Sequence, residues 1–241
     1  MAFYNSIADV YDQLFPLNMG QVEFIEKSFP GVLSGVRLID AGCGTGSLAI
    51  MLARRGANVA AFDGDDGMIE KARMKQPQAL NLRFSTGDLI TKFTDFNAGA
   101  FDGVLCFGNT LVHLINHAAI SGFIGAAAGA LKQGGKLWLQ IVNYDRVVKE
   151  QADSLPTINA GGYGFERKYD YRPDGLIDFN TRLIEAQSGE VIENSVPLLP
   201  LRKEELVALL QPYFSQIAVF GDFKRTPWSD TSFHLVVEAM K

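Results

Sequence analysis

The stretch Leu38-Ile39-Asp40-Ala41-Gly42-Cys43-Gly44-Thr45-Gly46-Ser47 decides the fold. A short apolar run ends in an acid, three alternating glycines follow, and an amphipathic segment begins at Ser47. That order predicts strand, tight turn and helix, the corner at which open α/β sheets hold a nucleotide. Glycine lets the chain turn sharply and lets a ligand approach the backbone. The helix start adds unpaired N–H groups and a positive dipole end. The spacing is G-x-G-x-G, with Ser47 standing where a dinucleotide fingerprint has its third small residue. Further on, Asn58-Val59-Ala60-Ala61-Phe62 predicts a second strand ending in Asp63. An acid about 20 residues past the turn is placed to accept both ribose hydroxyls. The same position also suits a helix N-cap.

Outward from this corner, strand and helix patterns alternate. Val36–Asp40 is read as strand one, Ser47–Arg55 as a helix, Asn58–Asp63 as strand two and Asp66–Lys75 as a helix stopped by Pro77. Asn81–Ser85 and Phe101–Phe107 follow as strands three and four, Ala118–Leu131 as a small-residue helix, and Lys136–Val142 as strand five after the Gly134-Gly135 turn. The alternation predicts an α/β fold with a doubly wound, mostly parallel sheet covered on both faces. Residues 3–29 read as amphipathic helix interrupted at Pro16, with Phe3, Ile7, Tyr11 and Leu14 on one stripe. Residues 146–162 have little periodicity. Phe165–Tyr171, Ile177–Ala186 and Glu190–Leu199 then predict a three-stranded antiparallel meander, broken at Pro173-Asp174-Gly175 and Ser188-Gly189. A helix over Arg202–Gln211 and a closing strand pair, Gln216–Phe220 with Phe233–Met240, complete the pattern. The expected organisation is one domain over residues 1–241. Its parts are an N-terminal lid (1–30), a ligand-binding core (31–145), an antiparallel β insertion over one mouth of the sheet (146–200), and a closing helix and strand pair (201–241).

Composition agrees with a globular enzyme domain. The chain has 241 residues, 47% hydrophobic and 20% charged, ample for a large core. Net charge is −5 with no long basic block, which argues against a nucleic-acid partner. No apolar run approaches the roughly 20 residues of a membrane span, and no signal-peptide core stands at the start. Two cysteines, Cys43 and Cys106, fall in the glycine-loop half; a disulfide is not expected, and the location expected is cytoplasmic. No His/Cys cluster carries zinc spacing, so no metal is expected.

Five motifs in order then resemble the class I S-adenosylmethionine-dependent methyltransferases. They are the acid and glycines from Asp40 to Gly46, Asp63 followed by Met68, Gly87-Asp88-Leu89, the strand beginning Phe101-Asp102, and Gly134-Gly135. The run Gly108-Asn109-Thr110-Leu111-Val112-His113-Leu114, with Asn143-Tyr144-Asp145 and Gly221-Asp222-Phe223, narrows the resemblance to the glycine- and sarcosine-type N-methyltransferases. The resemblance implies a seven-stranded Rossmann-like sheet and S-adenosyl-L-methionine as cofactor, with S-adenosyl-L-homocysteine as product. It implies direct in-line transfer to a small molecule, an amine first. An O-methyltransferase, or an NAD-dependent oxidoreductase using the same corner, are the alternatives.

The implied cofactor contacts are Tyr11, Asp40, Ala41, Gly42, Cys43, Gly44, Gly46, Asp63, Gly64, Met68, Gly87, Asp88, Leu89, Phe107, Gly108 and Asn109. Asp63 would hold the ribose, Met68 pack on the adenine, and Asp88 with Leu89 meet its amino edge. Asp40 would orient the glycine loop. His113, Asn143 and Tyr144 are the candidate acceptor contacts, with His113 and Tyr144 as candidate catalytic groups. Tyr4 and Tyr11 belong to the lid. Arg146, Arg167 and Arg182 are open candidates for holding an acceptor carboxylate.

Overall fold

The computed structural model describes residues 7–29 and 31–241. Phe3 and Tyr4 lie outside these, so the lid expectation is followed from Ile7 onward. The strands are β1 Arg37–Ala41, β2 Asn58–Asp63, β3 Leu82–Thr86, β4 Phe101–Cys106, β5 Leu131–Val142, β6 Ser154–Ala160, β7 Tyr163–Tyr171, β8 Ile177–Glu185, β9 Val191–Leu198, β10 Gln216–Phe220 and β11 His234–Met240. The helices are α1 Tyr11–Leu14, α2 Met19–Glu26, α3 Ser47–Arg54, α4 Asp66–Lys75, α5 His117–Ala130, α6 Tyr144–Glu150 and α7 Lys203–Leu210.

Seven strands form one sheet in the order β10-β11-β5-β4-β1-β2-β3. The run from β3 to β5 is parallel and β11 alone opposes its neighbours. Alternate residues of the central strands serve opposite faces, as the twofold strand period requires. Leu38, Leu105, Trp138 and Val236 pack against α2, α3 and α4 through Phe24, Leu52 and Ile69. Ile39, Val104, Leu139 and Val237 pack against α5 and α7 through Phe123, Ile124 and Leu206. The result is a three-layer sandwich of helix, sheet and helix. The order reverses between β1 and β4, so the loops after those two strands diverge and leave a crevice at their carboxyl ends.

Two expectations are corrected. The Gly134-Gly135 turn does not precede β5 but is a bulge within it: Leu131 pairs with Phe101, and the register then jumps so that Lys136 pairs with Gly103. Gly134 supplies the left-handed φ of +75° that this excursion needs. The stretch 146–162 is not irregular: it carries most of α6 and the edge strand β6, so the meander has four strands, β6-β7-β8-β9. Pro156 and a register shift between Leu155 and Ile158 erase the alternation that would have marked β6. The usable signal was Gly161-Gly162, a two-residue hairpin loop with φ of +60° and +84°. At the N-terminus helix breaks between Leu14 and Met19, around Pro16, as read.

Candidate active site

The glycine loop is built by steric need. Gly42 has φ +75°, and a Cβ there would run into the Thr110 side chain from the loop after β4. Gly46, the N-cap of α3, has φ +77° and presses against Phe84 and Ala72. Gly46 thus seats α3 on β3 and α4 rather than facing the crevice, and Ala41 is buried within β1. Gly42 and Gly44 line an open cleft of about 790 Å³ with Tyr11, Asp63, Gly64, Met68, Gly87, Asp88, Leu89, Gly108 and His113, all expected there. Phe62, Asp65, Thr110 and Leu114 also line it and were not expected. Asp65 was legible: it is the N-cap of α4, its Oδ1 accepting the Met68 N–H at 3.1 Å. That contact excludes the N-cap reading of Asp63.

Asp63 is pinned by the turn it faces. The Gly44 N–H donates to Oδ2 at 2.8 Å and the Asp65 N–H to Oδ1 at 3.0 Å. Each oxygen keeps a second lone pair for a ligand. Burial raises its pKa even against those hydrogen bonds. Asp88 is held below its usual range by N–H groups of Thr91 and Ile90, at 2.9 and 3.0 Å, so it is a fixed negative charge at the far wall.

A second cleft of about 650 Å³ adjoins the first, sharing Tyr11, Gly42 and Gly108 and adding Asp40, Cys43 and Phe107. Asp40 is only 3% exposed, with Oδ2 lacking a hydrogen-bond partner. Burial, then the charge of Asp63, pushes it up to about 7. Tyr11 stands between the clefts, and burial followed by Asp63 and Asp12 drives its phenol pKa up, keeping it protonated. Asp12 fastens this segment down. Its carboxylate accepts Thr45 Oγ1 and Ser47 Oγ from the glycine loop and α3, and Lys75 Nζ from α4. Against the cost of burial, those bonds hold Asp12 below its ordinary range. Sequence reading passed over Asp12 because its partners are 33 to 63 residues away.

The acceptor-side residues divide. Asn109 adopts a left-handed φ of +69°, maintained by its own side chain: Oδ1 accepts the Val142 N–H at 2.9 Å and Nδ2 donates to Tyr144 Oη at 3.0 Å. It joins β4 to β5 and does not line the cleft. Asn143 is fully buried, and its amide donates to the carbonyls of Ser229 and Ser232, at 3.2 and 2.9 Å, to fasten the loop before β11. Tyr144 is fully buried against Tyr169, ring centroids 6.5 Å apart. His113 does line the cleft, and burial lowers its pKa to about 4. It stands there as a neutral imidazole.

Comparison with known proteins agrees with this geometry. Residues 38–135 match a family described as a methyltransferase domain. The chain is similar to a glycine/sarcosine N-methyltransferase of Aphanothece halophytica, 29% identical over 198 residues that cover 80% of this chain and 72% of that protein. A ubiquinone biosynthesis O-methyltransferase of Xylella fastidiosa is 35% identical over 133 residues, 54% of this chain and 50% of its own length. In fold, a crystal structure of an S-adenosylmethionine-dependent methyltransferase from Clostridium acetobutylicum matches with a TM-score of 0.81 at 18% identity, covering 99% of this chain and 98% of that one. The glycine corner, the switch-point cleft and the antiparallel β11 define a Rossmann-like methyltransferase fold. The chain is similar to S-adenosylmethionine-dependent methyltransferases, over residues 38–135 in the family match and over nearly its whole length in fold.

Proposed function

We propose that the protein methylates the nitrogen of a small-molecule amine, with S-adenosylmethionine held along the two joined clefts. The observation that carries the reading is Asp63. Its half-buried carboxylate is locked by two backbone N–H groups, with lone pairs left over, at the place where a ribose would lie against the glycine loop. The other donors fit the same group. Met68 and Leu89 give an apolar slot for a purine, while the unpartnered Asp40 Oδ2 under Gly42 suits the pole of an amino-acid tail. When bound, the cofactor supplies a methyl already activated on a sulfonium.

The residues of this chain then serve mainly to position and to exclude water. Tyr11, clasped by Asp12, covers the glycine loop; Thr110 and Leu114 narrow the mouth. The choice of an amine rests on His113. An imidazole with its pKa near 4 is too weak a base to take a proton from an alcohol or phenol in the course of transfer. A neutral amine needs no such base. The similarity to the N-methyltransferase of Aphanothece halophytica supports the same choice.

Calorimetric titration with S-adenosylmethionine, S-adenosylhomocysteine and NAD in parallel tests the cofactor, since a ligand at 100 times its Kd stabilises a fold by about 2.7 kcal/mol. The adenosyl pair should bind and NAD should not; the reverse refutes the reading. Turnover against a panel of primary and secondary amines beside phenols tests the acceptor, and transfer to phenols alone refutes the amine.

A further inference from the structure

The second cleft, between the glycine loop and the N-terminal segment, carries charge of one sign. Asp12 and Asp40 line it, and Asp63, Asp65 and Asp88 line the first cleft beside it. Neither cleft is lined by a lysine or an arginine among the described residues. Asp12 has its counter-charge, because Lys75 Nζ, from the end of α4, donates to it and to Ser47 Oγ. Asp40 has none. It is 3% exposed, it faces the cleft, and its Oδ2 is unpartnered.

The backbone around Asp40 has its donors committed elsewhere. The N–H groups of Gly42 and Cys43 donate to the Phe62 carbonyl at 2.8 and 3.0 Å, and that of Gly44 to Asp63 Oδ2 at 2.8 Å. Across the cleft, buried Gln140 engages the loop after β4. Its Oε1 accepts the Gly108 N–H at 2.8 Å and its main-chain carbonyl accepts the Asn109 N–H at 3.2 Å. A buried carboxylate with neither donor nor counter-charge is far costlier ionised than protonated. The titratable groups that face Asp40 do not relieve it. Asp63, from the end of β2, is a like charge. Tyr11 from the N-terminal segment, Cys43 from the glycine loop and Cys106 from the end of β4 are held protonated by burial. A cation entering from the cleft reverses the balance, since an opposite charge at close range favours the ionised acid.

We infer that the second cleft takes up the cofactor's ammonium group in exchange for a proton, which Asp40 releases to solvent as the cation enters, so that pH sets how firmly the cofactor is held. This rests on the methyl-transfer reading above. Charge balances one for one: the O–H bond of Asp40 breaks, its electron pair stays on the carboxylate, and the ammonium replaces the proton. In the empty cleft Asp40 is pushed up to about 7, so the exchange operates in the neutral range and acidification unloads the cofactor.

The test is calorimetric titration of S-adenosylhomocysteine into the protein at pH 6, 7 and 8, each in two buffers of different ionisation enthalpy, which counts the protons released. The tail of this probe keeps its ammonium through that range. Wild type should release about 0.9, 0.5 and 0.1 proton at the three pH values, and should bind about tenfold more weakly at pH 6 than at pH 8. 5′-Methylthioadenosine has the adenine and ribose but no ammonium. It should release far less at pH 6 and change affinity less than twofold, and any release it gives measures Asp63. Asp40→Asn should bind S-adenosylhomocysteine with that same small release and a flat pH profile. Equal release by the two probes, equal release in wild type and Asp40→Asn, or no release by wild type at pH 6 overturns the exchange and leaves the cofactor reading standing. Failure of both probes to bind overturns the cofactor reading and the exchange with it.

Discussion

Replacing Asp40 by asparagine should stabilise the protein, by an amount that depends on pH in a defined way. Asp40 is 3% exposed, one carboxylate oxygen is unpartnered, and its pKa is pushed from 3.8 to about 7. In the unfolded chain the same acid ionises near 4. Between those values the folded state holds a proton that the unfolded state has released. Wild-type stability therefore falls as pH rises from about 4 to about 7 and is flat above. Each pKa unit is worth about 1.4 kcal/mol, so a shift of about three units gives roughly 4 kcal/mol in full. Asp40→Asn retains size and cannot ionise. Its advantage over wild type should be about 1 to 2 kcal/mol at pH 5 and about 4 kcal/mol at pH 8, the difference cancelling every other titrating group. Urea denaturation of the two proteins across pH 5 to 8.5 measures this directly. Parallel curves would show that Asp40 is ionised throughout and that burial beneath Gly42 does not govern it.

Further outcomes follow from other parts of the structure. Asp63→Ala removes the acceptor that holds Gly44 and should weaken S-adenosylhomocysteine binding tenfold or more by calorimetry; an unchanged Kd would remove Asp63 from the cofactor site. Glu238 accepts hydrogen bonds from Arg225, Trp138 and Ser28 and pairs with Lys136, bonds that outweigh burial and lower its pKa to about 2. Its contribution is complete above the unfolded pKa near 4.5 and is lost as pH falls toward 2. Glu238→Gln should cost about 2 to 3 kcal/mol at pH 7 in denaturant titration, and little at pH 2. His113→Gln should leave the pH profile of kcat/KM unchanged between pH 5.5 and 8, because the imidazole is already neutral there; loss of an acid limb in that range would show that it titrates during turnover.

Much of the sheet was readable because its signals are local. The run from Leu38 to Ser47 contains strand, turn and helix start within ten residues, and Asp63 is set by the end of the next strand. The glycine-loop side of the cleft inherits this, since the Gly44–Asp63 bond is formed by the two loops those motifs mark. The acceptor side was opaque. Asn109 and Asn143 look like ligand contacts in the chain, yet their partners are Val142 and Tyr144 for one and Ser229 and Ser232 for the other, distant pairings that only the folded register creates. The difference between Arg167 and Arg182 likewise depended on which face of β7 or β8 each occupies and on which glutamates lie opposite. β6 was missed because an edge strand with a proline and a bulge has little alternation to show.

The position of β11 bears on how the molecule is made. β10 is synthesised earlier but joins the sheet only through β11, which lies between it and β5. Until residues 234–240 have left the ribosome, β5 presents an open edge bearing Leu137, Leu139 and Ile141, and the Trp138 indole lacks its Glu238 partner. A nascent chain stopped short of His234 would have its glycine corner in place and an adhesive flank beside it. Chaperone occupancy on stalled chains should therefore drop sharply once β11 clears the exit tunnel, well after the cofactor half has been translated.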